Sequence, residues 1–161
     1  MITGTSCSRL IAHLQLRIPD MKVAQITKTL SANDVGSTGA HQAGMLVPKD
    51  PRILDFFPKL DPKTKNPRSH LVFEDDAGQK WMLAFIYYNN RLFGGTRNEF
   101  RLTHLTKFIR ENGLVTGDEI ALSRKEGVGL FISIRRASTV AARESGRRVL
   151  KLGSGWKVVD L

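Results

Sequence analysis

Residues 70–102, HLVFEDDAGQKWMLAFIYYNNRLFGGTRNEFRL, carry the pattern that decides the fold. His70–Asp75 and Gln79–Asn89 are apolar, β-prone runs on either side of Asp76-Ala77-Gly78, a tight turn that predicts a hairpin. Asn89–Thr96 reads as a second, turn-rich loop. Arg97–Leu102 then alternates polar and apolar residues as a third strand.

The chain stays strand-rich outward from this unit. Upstream, Met21–Leu30 reads as a strand with Ala24, Ile26 and Leu30 on one face, and residues 31–41 (SANDVGSTGAH) form a long loop. Gln42–Val47 resumes as a strand. Pro51–Phe57 sets Ile53, Leu54, Phe56 and Phe57 into a helical turn or two. Residues 58–69 (PKLDPKTKNPRS) make an exposed basic loop. Residues 7–16 have helical spacing of Leu10, Ile11 and Leu14, and Pro19 stops that helix. Downstream, Thr103 is placed to cap a helix through Asn112, with Gly113 as its stop. Strands follow near 118–123, 128–135, 148–152 and 156–160, with a helical turn over Thr139–Ser145. Hairpin-like connections of this kind predict one mostly β domain over residues 1–161. It is a closed or half-closed β-barrel (α+β) with short helices at its rims, rather than a βαβ sheet.

Composition narrows the partners. At 161 residues and 41% hydrophobic, the chain can bury a real core, which excludes a disordered segment. The uncharged run Trp81–Tyr88 is far shorter than the ~18 residues a membrane span needs. Arg9, His13 and Arg17 break up the N-terminus, so it does not read as a signal peptide. A single cysteine, Cys7, excludes an internal disulfide framework. The expectation is a soluble cytoplasmic domain with no membrane partner. Its 25 Lys and Arg against 15 Asp and Glu give a net charge of +10. That charge favours a polyanion such as nucleic acid, although basic domains also bind membranes and acidic proteins.

Catalytic patterns are thin. A Mg²⁺-dependent nuclease would use Asp20 with Asp61-Pro62-Lys63, two carboxylates for the metal and a lysine for water or phosphate. Pro62 falls inside the strand such a site requires, where its missing N–H is poorly tolerated. Glu74-Asp75-Asp76 reads as a hairpin end. His13, His41, His70 and His104 lack the i, i+4 spacing of a helical zinc pair. Neither Gly36–Gly39 nor Gly94–Gly95 leads into the Lys-Ser/Thr of a phosphate loop. Hence no catalytic residue, metal ligand or cofactor is assigned to this chain.

Two loop-to-strand segments carry recognition chemistry instead. Arg97, Glu99 and Arg101 alternate and so project from one face of their strand. Such a row is either surface ion pairing or a reading face, since arginine bonds guanine bidentately and glutamate accepts from the cytosine amino group. Asn33, Asp34 and His41 add donors and acceptors on the first loop, though Asn33-Asp34 equally suits a turn that serves only the backbone.

These segments, LSANDVGSTGAHQAG at 30–44 and YYN followed by FGGTRNEFR at 87–101, resemble the N-terminal effector domain of EcoRII-like (type IIE) restriction endonucleases. The resemblance implies a DNA-binding pseudobarrel like that of plant B-three transcription factors. Two arms, an N-arm over about 31–47 and a C-arm over about 87–101, would grip the major groove of double-stranded DNA. It implies a CCWGG-type site read by Arg97, Glu99, Arg101 and His41, with Asn33 and Asp34 contributing. Lys28, Ser37, Thr38, Arg91, Thr96 and Asn98 are then assigned to positioning or the DNA backbone, as are Lys63 and Lys65. The arginine-rich 135–148 stretch is a further source of phosphate contacts. The parent would be a bacterial type II restriction endonuclease whose separate nuclease domain alone uses Mg²⁺. Two positions depart from the family: Leu46 replaces a tyrosine and Gly95 a lysine.

Overall fold

The computed structural model describes residues 23–39, 44–137, 149–151 and 155–159. The helix expected over 7–16 and the helical turn over 139–145 lie outside these, as do Cys7, His13, Asp20 and His41. Among the described residues one continuous sheet holds nine strands: β1 (Val23–Thr29), β2 (Met45–Val47), β3 (Arg68–Glu74), β4 (Lys80–Tyr88), β5 (Glu99–Thr103), β6 (Glu119–Lys125), β7 (Gly129–Arg135), β8 (Val149–Lys151) and β9 (Trp156–Val159). Their spatial order is β2-β5-β4-β3-β7-β6-β1-β9-β8. Every pairing is antiparallel except β3 with β7, which meet through only Phe73↔Leu130 and Glu74↔Phe131.

The two flanks of this sheet curl together. The Trp156 indole on β9 donates to the Leu46 carbonyl on β2 at 2.8 Å, and Trp156 itself is fully buried. The result is the nearly closed, mostly β barrel that the hairpin pattern predicts.

Alternation along β4 builds the core. Trp81, Leu83 and Phe85 point inward, where Phe85 stacks on Phe57 (centroids 4.2 Å apart) and on Phe100 (5.5 Å). Tyr87 continues the row on Phe100 at 4.3 Å. Two short helices contribute to the same core. In α1 (Pro51–Leu54), Asp50 caps the helix by accepting from the Arg52 N–H, Pro51 occupies the first turn, and Ile53 is buried. In α2 (Thr106–Glu111), Phe108 meets Trp81 edge-on at 5.1 Å.

One local expectation is corrected. Thr103 does not cap α2; it ends β5, buried, with its hydroxyl donating to the Ala84 carbonyl at 3.2 Å. The helix starts after Leu105 without a side-chain cap and stops at Asn112, before Gly113 at φ +56°. The hairpin turn is as expected, because Asp75 accepts from the backbone N–H of Ala77 and Gln79 and from the Trp81 indole. The acidic triplet is therefore a hairpin end.

Trp156→Phe keeps most of the ring but removes the donor to Leu46. We expect it to lower unfolding free energy by about 1–3 kcal/mol, the usual cost of orphaning a buried acceptor. Trp81→Phe should cost less, because Asp75 is only partly buried and regains water. Denaturant unfolding of the two variants checks the order.

Candidate nucleic-acid interface

The two arms spring from neighbouring strands. Register places Arg68, Ile86, Arg101 and Leu46 in one row across β3, β4, β5 and β2, with Tyr88 opposite Glu99 in the next row. This row faces outward, on the side opposite the Phe85–Phe100 stack.

The C-arm is a tight device. Asn90–Phe93 forms a 3-10 turn closed by Gly94 at φ +82°, and the Arg91 N–H donates back to the Arg97 carbonyl at 2.9 Å. A Cβ on Gly95 would lie 2.8 Å from the Cβ of Asn90, so the glycine that replaces the family lysine is matched to this turn. Asn98 accepts from the Tyr87 hydroxyl at 2.9 Å, tying the returning limb to β4.

Arg97, Glu99 and Arg101 form one connected row. Glu99 Oε1 accepts from Arg101 Nε at 2.9 Å and lies 3.8 Å from Arg97 Nε. The two arginines differ. Arg97 is 51% exposed and sits over the Tyr88 ring at 5.0 Å. Arg101 is 15% exposed, and its Nη1 donates to the Gly44 carbonyl at 3.0 Å. Among the described residues its Nη2 has no such bond.

Gly44 is the far root of the N-arm. Its φ is +95°, and a Cβ there would come 2.3 Å from the Leu102 carbonyl oxygen, so no larger residue fits. The near root is an ion pair: Lys28 Nζ lies 2.9 Å from Asp34, with side chains 6% and 10% exposed. Asp34 also accepts from the Ser31 N–H and hydroxyl at 2.8 and 2.7 Å. Burial pushes the Asp34 carboxyl up, and these bonds with the Lys28 charge outweigh it, holding it below its ordinary value of 3.8. Asn33 accepts from the Thr38 hydroxyl at 2.8 Å, and Ser37 donates through its backbone to Ala32. Both Asn33 and Asp34 thus serve the arm's own turns. A cleft of about 840 Å³ lies between the N-arm (Asn33, Gly36, Gly39), the outer row (Arg68, Ile86, Tyr88) and Arg110 of α2.

Other candidates fall elsewhere. Ser37, Thr38, Arg91 and Thr96 are exposed on the arms, and Lys63 and Lys65 on the basic loop. Lys28, placed with the positioning residues, is buried beneath the N-arm. Arg135 and Arg136 have structural partners, Glu119 at 3.1 Å and Asp118 at 2.8 Å, and Arg136 also donates to the Asn112 and Gly113 carbonyls at the end of α2. In the nuclease pattern, Asp61 accepts from the Lys63 N–H and the Thr64 hydroxyl, a turn role, and Asp20 lies outside the described residues. None of the described His, Cys, Asp and Glu side chains gather in a group of three that could hold a metal ion. No helix among the described residues is long and apolar enough to cross a membrane.

Asn89 is the residue beside the candidate site that sequence reasoning missed. It is fully buried at the foot of the C-arm and bonds three backbone groups of the basic loop. Its signal is the inward parity of Trp81, Leu83, Phe85 and Tyr87, which one more step carries to a polar amide.

Known proteins share this design. The family model for the N-terminal part of restriction endonuclease EcoRII matches residues 20–116, from just before β1 to just past α2, and so includes both arms. The chain belongs to the EcoRII N-terminal domain family. As a member it is a DNA-binding module, not the catalytic unit. It is 42% identical over 80 residues to the type II restriction enzyme EcoRII of Escherichia coli, covering 47% of this chain and 19% of that enzyme. It is 33% identical over 111 residues to auxin response factor 3 of Oryza sativa subsp. japonica, covering 69% of this chain and 14% of that protein. The chain thus spans less than a fifth of either relative. Among solved structures, the protein of the Arabidopsis FUS3-DNA complex superposes with a TM-score of 0.54 at 23% identity, over 69% of this chain and 95% of that one. The fold is therefore the plant B-three pseudobarrel.

The Lys28–Asp34 pair gives a pH prediction. Because the folded Asp34 sits below 3.8, its contribution is present above that value and is lost as pH falls through the lower, folded one. The protection factor of the Ser31 amide should therefore persist through the ordinary carboxylate range and fall only at pH below 3.8, as Asp34 protonates. Asp34→Ala should abolish that protection at neutral pH.

Proposed function

We propose that this domain binds double-stranded DNA sequence-specifically, inserting both arms into the major groove at a CCWGG-type site. It acts there as the effector module of a type II restriction endonuclease whose nuclease domain is separate. The observation that carries this reading is the Arg97–Glu99–Arg101 row, which runs from the end of the C-arm onto the outer face of β5 beside the cleft. Membership of the EcoRII N-terminal family supports it.

The roles follow from exposure and free hydrogen-bonding groups. Arg97, held only by a ring face and a long ion pair, is the guanine reader with a bidentate edge to offer. Arg101 reads through Nη2 while its other nitrogens brace Glu99 and Gly44. Glu99 accepts from a cytosine amino group with its remaining oxygen, and His41 contributes from the N-arm. Asn33, Ser37, Thr38, Arg91 and Thr96 lie along the groove walls, and Asn98 holds the C-arm limb. Lys28 and Asp34 act by setting the N-arm's root. Lys63 and Lys65 contact phosphates, supplying affinity and register without sequence information.

Measured at fixed salt, Arg97→Ala should lower the cognate-to-random affinity ratio about 5- to 150-fold, the worth of one bidentate pair. Arg101→Ala should lower it less and also loosen the N-arm. Glu99→Ala should strengthen random-duplex binding while the ratio falls, since a negative charge leaves the DNA face. Unchanged ratios for both arginines sink the assignment and leave the row as surface ion pairing, worth about 0–1 kcal/mol to folding.

Both arms use hydrogen bonds, so specific binding to a CCWGG duplex should survive chelation by EDTA at matched ionic strength. Loss of specific binding on chelation, followed by titration, would expose a metal requirement and overturn that part of the reading.

A further inference from the structure

We infer that Asn89 is a positioning residue that locks the basic loop of residues 61–67 to the foot of the C-arm. It thereby sets where Lys63 and Lys65 stand relative to the reading row. This rests on the DNA-binding reading above and adds how the phosphate-contacting loop is held in register with the base-reading arm.

The geometry is specific. Asn89 Nδ2 donates to the Pro62 and Thr64 carbonyls at 3.0 and 2.8 Å, and Oδ1 accepts from the Asn66 N–H at 2.7 Å. The side chain is 0% exposed, so it cannot itself touch DNA. Two donors and an acceptor on one planar group is the inventory of a carboxamide: aspartate lacks the donors, and serine has one. The gripped residues are 62, 64 and 66, and the exposed lysines are 63 and 65 between them. The grip falls on backbone groups alone, so it fixes the path of the loop while the side chains of residues 61–65, the two lysines among them, stay exposed.

The loop is also stiffened from within. Asp61 accepts from the Lys63 N–H and the Thr64 hydroxyl, both at 2.9 Å, and Asn66 turns the chain at φ +50°. The Tyr87 N–H donates to the Pro67 carbonyl at 3.0 Å, fastening the exit to β4. Asn89 does not cap the 3-10 turn that follows it, so its side chain is committed to the loop. A lysine loop fixed before encounter avoids the ordering cost that a flexible one incurs on binding.

Salt dependence on duplex DNA tests this. In the otherwise native chain, Lys63→Ala with Lys65→Ala should lower the slope of log affinity against log salt by about 0.9 per lost contact. Asn89→Ala should lower it by a comparable amount, about 0.9–1.8, with cognate and random affinities falling by the same factor. In the Asn89→Ala background, removing the lysines should change the slope little further. Thr64→Ala, an exposed and charge-neutral change that removes the hydroxyl bond to Asp61 and leaves the buried amide intact, should act in the same direction to a smaller degree, and it carries the test if Asn89→Ala does not fold. A slope equal to wild type in the folded variants, or full additivity with the lysines, overturns the inference and leaves Asn89 a stability residue. A fall in the cognate-to-random ratio overturns it too, by making Asn89 a support of the reading arm. The slope is read on random duplex, so a wild-type chain that binds DNA without preference refutes the site assignment and still tests the clamp.

Discussion

The bond from the Trp156 indole to the Leu46 carbonyl joins the two flanks of the sheet, and the candidate site is built on the strand it holds. β2 is three residues long and pairs only with β5, through Met45↔Leu102, Leu46↔Arg101 and Val47↔Phe100. So short an edge strand would fray, and the N-arm lands on it. Trp156 reaches across from the other flank of the sheet and satisfies a carbonyl that has no further strand to pair with. Because Leu46 lies opposite Arg101, the bond that closes the barrel also fixes the height of the reading row against the N-arm root. The opposite seam, β3 against β7, has just two register pairs. The barrel is thus two antiparallel lobes with a narrow seam on one side and an indole on the other, and both arms belong to that closure.

The buried amide and ion-pair contacts at the arm roots explain how two surface loops are held in fixed geometry. The N-arm has a lysine–aspartate pair at one root and a glycine bonded by Arg101 at the other. The C-arm has Asn98 on Tyr87 and Asn89 under the basic loop. Each root is polar, nearly dry and directional, so each fixes geometry more than it adds stability. What remains exposed at the tips is chemistry suited to bases and phosphates.

The strand architecture was legible in the sequence because its signals are local. The hairpin at Asp76–Gly78, the alternation in Arg97–Leu102 and the turn-rich residues 31–39 need only neighbours to be read. Contacts between distant positions were not. Lys28 looks like a surface cation, yet it shares the inward parity of Ile26 and Leu30 and meets Asp34 at the barrel's rim. Asp50 as a helix cap sits one residue before the stretch that draws attention. Thr103 has the residue type of a cap and the parity of a strand, and the strand ladder prevails because Ala84 supplies an acceptor. Trp156 and Leu46 are 110 residues apart, and no local pattern links them. That Arg97, Glu99 and Arg101 share one face was legible from their alternation, but the inequality between Arg97 and Arg101 was not, because it arises from the Gly44 carbonyl.

Net charge, the first hint of a polyanion, is a poor guide to which cations do the binding. Arg135, Arg136 and Lys28 all hold carboxylates of this chain, and Arg124 donates to the Phe56 and Asp55 carbonyls beside α1. The basic loop and the C-arm, by contrast, carry exposed cations at Lys59, Lys63, Lys65, Arg91 and Arg97. Within that positive field Glu99 is the informative exception. A carboxylate facing DNA weakens binding to every sequence, and it regains that loss only where a base amino group or a neighbouring guanidinium donates to it. Glu99 aligns Arg101 and Arg97 in the free domain; on the proposed reading it would also repel phosphate and carbonyl edges at a wrong site. Specificity of this kind rests as much on an unfavourable term against non-cognate DNA as on a favourable one for the right duplex. The exposed lysines of the basic loop would then supply the sequence-blind affinity that lets the domain tolerate that term.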